Sequence, residues 1–151
     1  MSKIIWGPSI WNLFHCMSFD LKSENYDDIQ NAINIIVTIC YNLPCPICSE
    51  HAKKNLSKYN LKYINTVSKF RHFVFSLHNR VNQDLNKPLF DINDLNQKYE
   101  NKNINIVLNN FFVTFRTIRT SGLTLYSFHR DELLKNVKNY FIKNKHLYSL
   151  N

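Results

Sequence analysis

Apolar residues recur along this chain at intervals of three and four, the period of an α-helix with one buried face. Between Pro8 and Phe19 the residues Trp11, Phe14, His15 and Met17 or Ser18 keep that spacing, with Pro8 suited to a first-turn position. A polar stretch from Ser23 to Asp28 separates this first helix from a second built on Ile29, Ile33, Ile36, Val37 and Cys40. Pro44 biases Leu43 away from helical angles, so the second helix should stop near Asn42. Cys45 and Pro46 then open a third helix, whose inward face continues through Cys48, His51, Ala52 and Leu56. Ser68 is the expected N-cap of the clearest helix, striped by Phe70, Phe73, Val74, Leu77, His78, Val81 and Leu85 and closed by Lys87-Pro88. Ile92 to Tyr99 forms a short fifth helix capped by Asp91 or Asn93. Beyond Asn103 come two more. One carries Ile104, Val107, Leu108, Phe111, Phe115 and Ile118 and ends near Ser121-Gly122; the other carries Leu133, Leu134, Val137, Tyr140 and Phe141, with Asp131 and Glu132 near its positive end.

Composition narrows the fold class. With 2 glycines and 4 prolines in 151 residues, the chain lacks the turn residues that a β-sandwich or barrel requires, so the expected fold is all-α. The length suits one folded domain with an appended tail. A formal charge of +8 allows a nucleic-acid partner, but the basic residues are spread out. Only the last quarter is conspicuously basic (Arg116, Arg119, Arg130, Lys135, Lys138, Lys143, Lys145), as a solvated helix face would be. No apolar run approaches the roughly 20 residues of a membrane-spanning helix, and no signal-peptide order opens the chain. A soluble intracellular protein without a membrane partner is expected.

Four cysteines are too few for a secreted disulfide scaffold, and two of them form the pair Cys45-Pro46-Ile47-Cys48. At a helix start, free N–H groups and the helix dipole stabilise a thiolate, the reactive form of cysteine. Two intervening residues also let the sulfurs close a disulfide that an incoming thiol can reopen. Zinc uses the same pair and could recruit His51, but no second C-x-x-C and no H-x-x-x-H at finger spacing completes a ligand set, so no metal site is assigned. A thioredoxin-like fold would need strands alternating with helices around Cys45, and these are absent. Two alternatives to redox chemistry stay open: a zinc-stabilised helical binding module and a basic nucleic-acid-binding protein.

Four blocks carry a wider resemblance. They are Trp6-Gly7-Pro8-Ser9-Ile10-Trp11 with His15, Leu43-Pro44-Cys45-Pro46-Ile47-Cys48 with His51, His78-Asn79-Arg80-Val81-Asn82, and Leu85-Asn86-Lys87-Pro88. In order and spacing they resemble the flavin-linked sulfhydryl oxidases of the augmenter-of-liver-regeneration type, above all the short members from large DNA viruses. The resemblance runs over roughly residues 3 to 100 and implies a four- or five-helix FAD-binding bundle in residues 1–102, followed by a two-helix extension in residues 103–151. It implies an FAD-dependent thiol oxidase that makes disulfides in substrate proteins through Cys45 and Cys48 and reduces O2 to H2O2. Cys45 would be the outer cysteine and Cys48 the one beside the flavin.

Carried over by position, Trp11, His15, Phe19, His78, Asn79, Asn82, Lys87 and Tyr99 look like cofactor contacts. His78 and Asn82 lie four apart on one helix face, where both can reach an adenine edge, and Trp11 and His15 share a face of the first helix. Phe19 stands where the family often has Tyr, so packing is retained and a hydroxyl bond is not. Asn86 stands where a glycine is common, which suggests a left-handed backbone. The resemblance also implies a homodimer. The chain lacks the shuttle and distal structural cysteine pairs of many cellular members, so the electron donor should be a protein dithiol or a separate thioredoxin-like shuttle protein. A viral source would put it in host cytoplasm or the virion. Cys16 and Cys40 are expected as buried thiols, or as a disulfide joining the first two helices.

Overall fold

In the computed structural model the backbone is described for residues 3–118 and 124–151, and the side chains for residues 6–118 and 128–151. The described residues form helices α1 (Lys3–Asp20), α2 (Tyr26–Tyr41), α3 (Pro46–Leu56), α4 (Val67–Asp84), α5 (Leu95–Tyr99), α6 (Ile104–Thr117) and α7 (Thr124–Lys143), with 3-10 turns between some of them and no strands. The all-α expectation holds.

Local chemistry explains most boundaries. Asn25 caps α2, its side-chain oxygen accepting from Asp27 N at 2.9 Å and Asp28 N at 3.4 Å, and the two aspartates sit at the positive end of the helix dipole. At the start of α4 the cap is Thr66 and not Ser68: Thr66 Oγ1 accepts from Lys69 N at 3.0 Å, and Glu24 accepts from Val67 N at 3.1 Å. Burial of Val67 pulls the helix start forward to include it. Pro8 lies inside α1 and not in its first turn, because Trp6 and Ile10 on either side are both buried and extend the helix through it. Asp131 and Glu132 fall in the middle of α7, which begins at Thr124 and is tied to the end of α6 by Arg130 Nη1 donating to the Ile118 carbonyl at 2.7 Å. α6 stops at Thr117; the expected stop at Ser121 and Gly122 lies outside the described residues. Leu85 leaves the apolar stripe of α4 and is 39% exposed, because the helix has ended and Asn86 turns the chain with φ 55°. That left-handed turn is the one the asparagine at a glycine position suggests.

Helix α1 is the axis of the fold. Leu13, Phe14, His15, Cys16, Met17 and Ser18 are consecutive and all buried, so every side of that stretch is covered. α4 and α5 pack on one part of it, and α6 makes the most extensive packing against it. Cys16 Sγ donates to the Lys102 carbonyl at 3.8 Å, and Asp20 accepts from Ser149 N at 2.6 Å, which binds the chain beyond residue 100 to α1 at two points. The core is continuous: Ile104, Val107, Phe111 and Phe115 of α6 and Leu133, Val137, Tyr140 and Phe141 of α7 belong to the same cluster as Phe14, Ile33 and Phe70. Cys16 and Cys40 are both free thiols, and burial pushes each up to about 12. No helix among the described residues is long and apolar enough to cross a membrane.

Phe111 is fully buried where α6 meets the core. Phe111→Ala should lower stability by about 3–5 kcal/mol through lost burial and a residual cavity, read as a fall in the denaturant midpoint. An unchanged midpoint would contradict the placement of α6 in the core.

Candidate cofactor and redox site

A cavity of about 450 Å³ opens among α1, α3, α4, α5 and the segment after α4. Trp11, Cys48, His78, Asn82, Lys87 and Tyr99 are among the residues that line it. Its size is that of a cofactor pocket, and its wall mixes apolar surface with a few converging polar groups.

The paired cysteines enter at the start of α3. Cys45 is the N-cap residue, and its Sγ accepts from Cys48 N at 3.3 Å, while Pro46 fills the first helical position where no N–H is needed. Ser49, buried on the same turn, accepts from Leu43 N at 2.9 Å and fixes the approaching loop. Both cysteines are half-buried, but Cys48 lines the cavity and Cys45 stands outside its lining. The pair thus has one sulfur on the cavity side and one outside it. His51, placed on the inward face by its spacing, is exposed; it stands at the cavity rim and not in the core.

On the opposite wall two ring pairs stack. Trp11 lies on His78 with centroids 4.1 Å apart and planes 8° apart, and His15 lies on Tyr99 at 4.0 Å and 14°. His15 Nε2 and His78 Nδ1 are 2.9 Å apart, so one ring donates to the other and the accepting ring is neutral. The environment enforces this. Burial, then the neighbouring His78 and Lys98, lower His15 to about 3; burial, then Lys98 and Lys87, lower His78 to about 4. His15 Nδ1 is buried without a hydrogen-bond partner.

The expected contacts divide into three groups. Trp11, His78, Asn82, Lys87 and Tyr99 line the cavity, and His15 stands directly behind His78 and Tyr99. Asn79 points elsewhere: its Nδ2 donates to the Phe90 carbonyl and its Oδ1 accepts from Phe90 N, both at 2.8 Å, which clamps the segment carrying Lys87 back onto α4. Phe19 lies under the Arg71 guanidinium at 4.6 Å, and Arg71 donates to the carbonyls of Ser18 and Phe19 at the end of α1. Lys98, Asn55 and Asp84 are among the lining residues that the motifs did not mark. Lys98 sits over the Phe90 and Tyr99 rings at 4.9 and 5.5 Å, and Asn55 of α3 donates to Asp84 of α4 at 3.0 Å. Asn55 lies seven residues after Cys48, on the same helix face, so its spacing could have marked it; the short α5 offered no comparable signal for Lys98.

Flat aromatic and imidazole faces, an asparagine amide and two lysines suit a planar cofactor with a polar edge and a diphosphate. A metal fits less well: among the described residues no group of three or more His, Cys, Asp or Glu is placed to hold one.

Comparison with known proteins places this arrangement in a lineage. Proteins named FAD-linked sulfhydryl oxidase from two isolates of African swine fever virus are 32% and 30% identical over 96 and 103 residues, covering 63% and 68% of this chain and 80% and 86% of the relatives. The FAD-linked sulfhydryl oxidase ERV1 of Oryza sativa is 28% identical over 94 residues, covering 62% of this chain and 48% of the plant protein. No solved structure matches the chain significantly. Residues 8–100 match the Erv1 / Alr family, and that span takes in the cysteine pair and every residue lining the cavity from Pro8 to Tyr99. The chain belongs to the Erv1 / Alr family.

Proposed function

We propose that the protein is an FAD-dependent thiol oxidase that makes disulfide bonds in substrate proteins and reduces O2 to H2O2. One observation carries this reading: Cys48, the inner member of a redox pair at a helix N-terminus, lines the same cavity as Trp11, His78 and Tyr99. The names of the viral and plant relatives support it. Trp11, His78, Asn82 and Tyr99 would hold the ring systems of FAD, with His15 setting the His78 ring, and Lys87 and Lys98 would face its diphosphate. The bound flavin supplies the two-electron chemistry that links a dithiol to O2.

The chain's own part is thiol–disulfide exchange and orientation. A substrate thiolate attacks Cys45 Sγ, the Cys45–Cys48 bond breaks, and Cys48 leaves as a thiolate at the cavity wall. The α3 N-terminus favours that charge. Cys16 and Cys40 cannot act as an internal shuttle, since both are buried and held protonated at neutral pH. The donor on this reading is therefore a protein dithiol or a separate thioredoxin-like shuttle, and the assembly is the homodimer of the resemblance, in the host cytoplasm or virion of a large DNA virus. Residues 1–102 form the oxidase unit, with residues 103–151 added to it; the family match ending at residue 100 supports that division.

Cys48→Ser should purify with its flavin absorbance intact and oxidise dithiols only at the background rate; an active variant would remove Cys48 from the mechanism. His78→Ala removes a stacking and hydrogen-bonding ring and should weaken FAD binding about tenfold, measured by flavin fluorescence on titration into apoprotein. Unchanged affinity would take His78 out of the site. Both histidines lie below the ordinary 6.5 when folded, so between pH 6.5 and about 4 the unfolded chain binds more protons than the folded one. Their contribution to apoprotein stability is fully present above pH 6.5 and lost as pH falls through about 4 for His78 and about 3 for His15. Denaturant midpoints across this range should decline with acid, and less steeply in His15→Gln.

A further inference from the structure

Helix α3 turns one stripe toward the cavity. Cys48, His51, Ala52 and Asn55 all line it, at the spacing of a single helix face. The far end of the stripe is fixed, because buried Asn55 donates to Asp84 of α4 at 3.0 Å. Side chains on a helix lean toward its N-terminus, so a residue three positions on covers the surface of the preceding turn. His51 therefore leans toward the turn that carries Cys48.

Three histidines border this site, and their surroundings divide the work among them. His15 and His78 are locked together as neutral rings, lowered to about 3 and about 4, and neither can carry a positive charge near neutral pH. His51 stands at the rim, in contact with water, on the same face as the inner sulfur. The chemistry assigned to Cys48 leaves a negative charge at that place and calls for a positive one beside it.

We infer that His51 is the charge partner of Cys48, its imidazolium stabilising the thiolate that leaves when a substrate thiol attacks Cys45. The inference rests on the oxidase reading. In this step one S–S bond forms between the substrate and Cys45, the Cys45–Cys48 bond breaks, and its electron pair goes to Cys48. No proton moves and no oxidant is consumed. A better-stabilised leaving thiolate departs faster, so His51 acts on the exchange rate.

The charged and titratable groups around His51 come from four elements. On α3 itself Glu50 and Lys53 pair at 3.2 Å, with Lys54 beside them. On and after α4 stand Asp84 and Lys87, and from α5 comes Lys98. From α2 come Cys40, a neutral thiol, and Tyr41, whose ring lies 5.3 Å from Lys53 Nζ. Asp84 is tethered to the stripe through Asn55.

The test uses the flavin-loaded protein with Cys45→Ser, which leaves Cys48 as the thiol of the pair. Iodoacetamide labelling of Cys48, followed by peptide mass spectrometry from pH 5 to 9, reads its thiolate fraction without any turnover. Adding His51→Gln should slow labelling about tenfold at pH 6, a displacement of about one pKa unit, with the two profiles meeting at pH 9. His51→Gln alone should lower kcat for dithiol oxidation at pH 6 while KM, bound flavin and the unfolding midpoint stay unchanged. Superimposable labelling profiles in an otherwise active oxidase would overturn the role of His51 alone. A wild-type protein that binds no flavin and oxidises no dithiol would overturn the oxidase reading instead, and the labelling comparison would still report whether the two side chains are coupled.

Discussion

Two imidazoles, one on α1 and one on α4, meet at 2.9 Å inside the protein, and each is covered on its open face by another ring. Such a contact needs at least one neutral ring, since two protonated rings would place donor against donor with a positive charge on each, and burial keeps both neutral near neutral pH. The rest of the site is arranged to keep them so. α6 and α4 bury α1 along its length, α5 brings Tyr99 onto His15, and Lys87 and Lys98 add positive charge that opposes protonation. The same two lysines line the cavity.

The redox pair follows a different logic. Its geometry is set within a few residues by the N-cap role of Cys45, the proline at the first helical position and the Ser49 bond to the incoming loop. The wall that faces it is assembled from residues far apart in sequence and depends on the packing of α1 against α4 and α5. Asn79 joins these two scales, because its amide spends both ends on the Phe90 backbone and thereby sets the segment that delivers Lys87.

What could be read from the chain alone followed the range of the forces involved. Helices with strong stripes, such as α2 and α4, and the start of α3 at Pro46, are encoded locally and were legible. Pro8 misled because a local preference for the first turn yielded to the burial of Trp6 and Ile10, and Ser68 misled because Val67, a core residue, had to be inside the helix. Asp131 and Glu132 resemble a helix start in sequence, yet the apolar pattern that would have marked the earlier turns of α7 is weak. In the site, Trp11, His15 and His78 were recognisable from their blocks. Asn79 and Phe19 lie within or beside the same blocks but turn to the Phe90 backbone and to Arg71, which is a matter of side-chain direction that no spacing encodes. The Asn55–Asp84 bond and Lys98 depend on tertiary contact alone.

The family match ends at residue 100, but the core does not. Trp11 and His15 look from α1 toward the cavity, while Cys16 and Asp20 of the same helix hold the Lys102 carbonyl and the Ser149 amide. One helix thus borders both the cavity inside the matched span and the helices beyond it. Between Leu13 and Ser18 that helix has no exposed face and α6 packs on it most extensively, so residues beyond the family match help hold the helix that carries Trp11 to the cavity.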